Sequence, residues 1–300
     1  MNAQKQDLRK PGLWAGLCLL MLVLAAPAAW CQGSGQSPSQ GQGQSNPPKP
    51  AEKVPPDKPT VALEPPAPAV NPEEEAALKA FMDVKPAEAP KLVQLGEEFL
   101  KKYPETRYAG GVYARLTTAY LSTGQEDKVF AAGDKALEFN PDNVDVLALL
   151  AMVLPRRVDM RSLDAQQKLQ KAETYAQRVM AVLSTLPKPE GLSEEDFTRA
   201  KNDKLALAHG GLGFINFQRQ KFAESAAELE QAVKLASSPD PVDYYVLGLA
   251  GLNSRRYADA IAAFGHCAEV SGAMQDRCKK AGEEAKKVAA AHPSAPAPKP

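Results

Sequence analysis

The chain has 300 residues, no formal net charge and 6% aromatic residues. No Lys/Arg run interleaves with aromatics, so the electrostatic footprint of a nucleic-acid binder is missing, and abundant Ala, Leu, Glu and Lys favour helices over a β-rich domain. Ten of the 26 prolines fall between positions 38 and 68 and four in the last eight residues, which leaves residues 71–292 to build a core.

Residues 1–28 read as an export signal. A basic stretch with Lys5, Arg9 and Lys10 precedes an apolar run over 13–26 and the small-residue site Ala26-Pro27-Ala28. Cleavage after Ala28 fits that site. The apolar stretch also reaches Trp30, about the lower limit for spanning a bilayer, so an uncleaved anchor is the alternative. Trp30 is too large for the residue before an acylated cysteine, which argues against lipidation of Cys31. In each case the folded part is expected in the periplasm or cell envelope, with membrane contact only through an uncleaved N-terminal segment. Residues 29–70, Gly/Ser/Gln-rich and then Pro-rich, have too few apolar side chains to offset chain entropy. They are expected to form a disordered tether with a root-mean-square reach of about 35 Å. The tail 293–300 is expected to be loose as well.

Between these ends, apolar residues recur at three- and four-residue spacing, with Gly or Pro breaks about every fifteen residues. The spacing predicts helices almost throughout. An internal repeat is visible: Tyr244-Tyr245-Val246-Leu247-Gly248 is followed by Tyr257, Ala260, Phe264 and Ala268. Over 209–232 the same order appears as Leu212-Gly213, Phe222, Ser225, Leu229 and Ala232. A third copy has Tyr113, Leu116, Thr117, Tyr120, Gly124, Ala136-Leu137 and a closing Pro141. This helix-turn-helix period of about 34 residues resembles the tetratricopeptide family. Weaker pairs lie over 76–103, whose ending Phe99-Leu100-Lys101-Lys102-Tyr103-Pro104 resembles helix ends in tetratricopeptide proteins of bacterial outer-membrane assembly, and over 144–183. The latter carries an insertion of about nine residues around 155–167. Ser193-Glu194-Glu195-Asp196 predicts a helix start of capping-box type, with the helix running on to Gln218. Residues 275–291, charged on one side and mostly Ala on the other, read as a capping helix.

The resemblance implies an all-α, right-handed superhelical solenoid of about four to five helix pairs over 71–292. Leu-Gly on a first helix leaves a hollow for the second, Ala260 sits at the closest approach, and Phe264 and Tyr257 fill the space between pairs. Each pair alone exposes an apolar face, so neighbours must stack.

Candidates for chemistry are few. The three histidines His209, His266 and His292 have no second ligand at metal-binding spacing, and packing explains His209. Gly210-Gly211-Leu212-Gly213 lies in mid-helix with no strand before it, so its glycines are expected to permit close helix contact and not to cradle phosphate. No acid/base constellation, nucleophile elbow or CxxC pair stands out. The chain therefore reads as non-enzymatic, with no cofactor and no metal.

Cys267 and Cys278 lie about equally far either side of Gly272, so they can face each other across an antiparallel helix pair. In an oxidising compartment they are expected to form a disulfide, the alternative being two buried thiols. The resemblance implies a concave groove lined by the first helix of each pair. By register its positions here are Arg115, Thr118, Met152, Phe214, Phe217, Tyr245, Leu249, Leu252 and Asn253. Ala114 and Thr118 occupy slots where a carboxylate clamp needs Lys and Asn, which speaks against that ligand. The C-terminal half is expected to offer an apolar, aromatic-bearing groove for a peptide or amphipathic helix, unless the long helix, the insertion or the cap fills it. The function implied is a protein-interaction scaffold of the periplasm or envelope. The alternative is a membrane-tethered structural or outer-membrane assembly factor.

Overall fold

A computed structural model describes residues 71–292. The expected signal, tether and tail lie outside the described residues. Among the described residues there are eleven α-helices, one 3-10 turn and no strand. They run as α1 (Pro72–Met82), the 3-10 turn Pro86–Glu88, α2 (Ala89–Lys102), α3 (Ala109–Ser122), α4 (Glu126–Phe139) and α5 (Val144–Arg157). There follow α6 (Ala165–Thr185), α7 (Glu194–Gln218), α8 (Phe222–Leu235), α9 (Pro241–Asn253), α10 (Tyr257–Glu269) and α11 (Gln275–Ala291). Five antiparallel pairs, α1–α2 through α9–α10, stack in chain order and α11 closes the array. This is a helix-pair solenoid of the tetratricopeptide type.

Local chemistry sets the helix starts. Asn71, Asn143, Ser193 and Asp240 accept backbone N–H groups of the first turn, which otherwise lack partners. Pro72 and Pro241 follow two of these caps, where a missing N–H does no harm. The 25-residue α7 starts on Ser193 Oγ, which accepts from Asp196 N at 3.0 Å.

The three clear repeat copies close their pairs with one turn. Gln125 N donates to Tyr120 O, Lys221 N to Asn216 O and Arg256 N to Gly251 O, each beside a residue with positive φ. That residue is Gly124 (φ 69°) in the first copy, but Gln220 (60°) and Arg255 (60°) in the others. It is the left-handed helix ending that satisfies orphan carbonyls, and only the first copy fills it with glycine.

Inside the pairs, glycine hollows receive large side chains. A Cβ on Gly213 would stand 2.5 Å from Leu229 Cγ, and one on Gly248 2.6 Å from Phe264 Cε1. At Gly251 it would be 3.1 Å from the Ala260 methyl, the close approach expected for that alanine. The core follows as a chain of clusters, from Phe81, Leu116, Val129 and Leu150 through Ala148, Ala176 and Val179 to Leu229, Val246 and Phe264. On the outer side, Lys128–Glu97 (2.7 Å), Lys171–Asp134 (2.7 Å) and Arg256–Glu230 (2.6 Å) tie successive second helices together. These pairs are half-exposed and each contributes only about 0–1 kcal/mol.

Both ends of the expected insertion are helical. Helix α5 continues through Pro155 to Arg157, and α6 begins at Ala165, so only 158–164 lack helix. Pro155 has no N–H to give to the carbonyl of Ala151, one turn earlier. The fourth pair uses that freed carbonyl as its contact point. A Cβ on Gly211 would lie 2.3 Å from Ala151 O, so α7 crosses α5 backbone against backbone where a glycine faces a proline-freed carbonyl.

Candidate functional site

The first helices α3, α5 and α7 bound a depression of about 430 Å³. Met82, Leu149, Met152 and Leu207 give it apolar walls, and Arg115, Thr118, Asn143 and Lys204 supply polar groups. Asn143 is there because it caps α5, and Lys204 is held by an ion pair to Asp145. Arg115 donates from one Nη to the Val84 carbonyl and lies over the Phe81 ring at 5.5 Å, which fixes its guanidinium at the wall. Its Nε is buried and has no partner among the described residues. Met82, 49% exposed, forms the outer lip. Arg115, Thr118 and Met152 from the sequence-derived set therefore share one concavity.

The C-terminal members of that set stand elsewhere. Phe214 is a core residue and not a groove wall: it is 9% exposed, packs with Leu229, Val246 and Leu247, and is roofed by the Arg156 guanidinium at 4.5 Å. Phe217 turns its ring edge-on to Phe222 in the next helix. Tyr245, Leu249 and Leu252 pack around Phe264 together with Ala281 and Ala285 of the cap, and Arg277 covers the Tyr245 ring at 4.7 Å. Asn253 is exposed and donates back to Leu249 O of its own helix. Of the expected aromatic groove, Phe214 is thus packed shut under α5, while Phe217, Tyr245, Leu249 and Leu252 remain half-buried. The physical reason is that Phe214 fills the space between the fourth and fifth pairs, while Phe217 and Tyr245 pack within their own pairs against Phe222 and Phe264.

The roof over Phe214 is a charge cluster that sequence reading missed. Arg156 donates to Asp240 Oδ2 at 2.6 Å and to Asp243 Oδ1 at 2.5 Å, clamping α5 to the start of α9 across α7. Gly210 on α7 leaves room for the Asp243 carboxylate, 3.2 Å from where a Cβ would be. Burial pushes the Asp243 carboxyl up to about 6; the Arg156 charge and hydrogen bond pull it down, while the neighbouring Asp240 charge adds to the rise. Burial wins, because one cation is shared by two acids. Nothing in the sequence marks the partnership: Arg156 sits in the insertion, and Asp240 and Asp243 look like ordinary helix-start acids.

The glycine run on α7 is accounted for residue by residue, with Gly210 facing Asp243, Gly211 facing Ala151 O and Gly213 facing Leu229. His209 Nδ1 lies 2.7 Å from Glu228 Oε2, a link within the α7–α8 pair. Among the described residues no three His, Cys, Asp or Glu side chains converge as a metal site. A second cavity of about 330 Å³ lies between α4, α5 and α6, floored by Phe130, Leu150 and Leu154. On its rim Arg157 pairs with Glu126 at 2.8 Å and Lys171 with Asp134 at 2.7 Å.

No protein-family model and no curated protein matches the chain. Solved structures similar to it include a thermophilic TPR protein of Thermus thermophilus, at 16% identity and TM-score 0.46, covering 71% of this chain and 99% of that one. PilW, a widely conserved type IV pilus biogenesis factor, is 14% identical with TM-score 0.46, covering 74% and 94%. PilF of Pseudomonas aeruginosa is 12% identical with TM-score 0.45, covering 74% and 93%. At such values the architecture is read from the helix pairs themselves.

Proposed function

We propose that the protein is a non-catalytic scaffold that holds a segment of a partner protein against the inner face of α3, α5 and α7. The observation that carries this reading is the depression where Thr118 and Met152 stand beside Arg115 and Lys204. Apolar walls with a few fixed polar groups suit a peptide or amphipathic helix with one or two hydrogen-bonding anchors. The test pairs Met152→Glu with Leu207→Glu in the full chain. Helical content should stay unchanged while partners co-purified from native envelopes are lost. Retention of every partner by the double variant contradicts the proposal.

The proposal includes export. The basic stretch and apolar run at the N-terminus support it, as does a cysteine pair of the kind that persists in oxidising compartments. A tethered variant of the reading is favoured by the continuation of the apolar run to Trp30, since an uncleaved segment would hold the scaffold at the membrane. N-terminal sequencing of the mature protein separates the two: a start at Ala29 means release, and a start at or near Met1 means an anchor.

A further inference from the structure

The cap α11 is held differently from the other helices. Only Cys278 and Ala285 of its 17 residues are buried. Ala281 joins Ala285 against Ala260 and Phe264, and Gly282 lies where a Cβ would be 3.4 Å from Phe264 Cβ. Apart from Arg277, whose guanidinium covers the Tyr245 ring, and Gln275, which donates to Ala268 O, the side chains that α11 turns to the array are no larger than a methyl or a thiol. By contrast, Leu116 of α3 and Leu150 of α5 fill hollows at Gly96 and Gly133 of the preceding pairs. What lies beneath is not small. Tyr245, Leu249 and Leu252 of α9 with Ile261 and Phe264 of α10 form the last apolar face of the solenoid, and every such face needs a cover. The strongest attachment of α11 is covalent: Cys267 on α10 is joined to Cys278, with Cα atoms 5.7 Å apart. Both cysteines are fully buried.

We propose that the Cys267–Cys278 bond is a one-way latch, and that α11 occludes the C-terminal apolar face firmly only after the two thiols are oxidised. In the dithiol form α11 opens readily, and Tyr245, Leu249 and Leu252 are intermittently accessible. The latching step transfers two electrons and two protons from the thiols to a disulfide-bearing oxidant, which leaves as its dithiol. Once closed, the bond has no exposed sulfur for a reducing thiolate to attack, so reduction must wait for α11 to open. The bond closes a loop of sequence separation 11, for which chain entropy gives about a hundredfold shift in the opening equilibrium. The consequence is a compartment-dependent surface: the same chain presents an extra apolar face before oxidation and hides it afterwards. This inference stands on the cap alone and does not depend on what binds the inner face of α3, α5 and α7.

Hydrogen exchange on the full chain, refolded with and without a dithiol reductant, tests it. Amides of α11 should exchange about a hundredfold faster in the dithiol form, while those of α5 and α7 stay as protected as before. A Cys267→Ala/Cys278→Ala double variant should behave like the dithiol form under all redox conditions. Cys267→Ser/Cys278→Ser, which keeps an atom in the place of each sulfur, should do the same if the missing bond and not lost sulfur packing frees the cap. Equal α11 protection in the oxidised, reduced and double-alanine proteins overturns the latch. So does rapid reduction of the closed protein by added dithiol, at the rate of an exposed disulfide.

Discussion

Gly211 and Pro155 make sense only together. A proline in the last turn of α5 frees the Ala151 carbonyl, and the absence of a side chain at Gly211 lets α7 settle on it. A Gly211→Ala change puts a methyl group against backbone that cannot rotate away, so we expect a stability loss of about 1–3 kcal/mol in urea unfolding. Gly265→Ala, on an open face of α10 with nothing within 4 Å of the added Cβ, should instead gain up to about 1 kcal/mol. Arg156 is the second residue with a defined role. Replacing it by Met strands two carboxylates over Phe214 and should cost about 3–5 kcal/mol. Asp243→Asn in the same background should recover part of that loss. The Asp243 carboxyl, with a folded value of about 6 against an ordinary 3.8, binds its proton more tightly in the folded chain. Its stabilising contribution is therefore complete below about pH 3.8 and lost as pH rises through about 6. Asp243→Asn should flatten this component of the stability profile in thermal unfolding between about pH 4 and 6.5. An unchanged profile means that the carboxylate is better solvated than its burial implies.

At the scale of the element, the helices and their repeat were legible because packing writes itself into spacing. Leu-Gly followed by Phe or Leu marks a hollow and its filler, and Ser193 with three acids after it marks a helix start. The turn was only half legible. Gly124 announces a left-handed residue, but Gln220 and Arg255 hold the same conformation without any signal in their residue type. That strain gives a test: Arg255→Gly should raise stability by about 0.5–1 kcal/mol, readable as a shift in urea midpoint. The insertion was legible only as extra length: Pro155 in the last turn of α5 forfeits one hydrogen bond and leaves the helix running to Arg157. The clamp was not legible at all, since it joins residues 84 and 87 positions apart across an intervening pair.

At the scale of the whole molecule, the described residues form an array closed at its C-terminal end and open on the inner face of its first half. The sequence located inner-face positions by register, but register alone does not tell an open wall from one packed shut. Arg115, Thr118 and Met152 border free space, whereas Phe214 lies under Arg156 and Tyr245 under Arg277. The difference arises from long side chains of neighbouring pairs, which a pattern of apolar residues does not record. The proposed scaffold role therefore rests on one concavity, and the direct measurement is site-specific photocrosslinking in intact cells. Probes at Thr118 and Met152 should capture one and the same partner. Probes at Gln177 and Gln231, exposed on the second helices α6 and α8, should not. Capture at the outer positions equal to that at the inner ones, or no capture at Thr118 and Met152, contradicts a scaffold that works through its inner face.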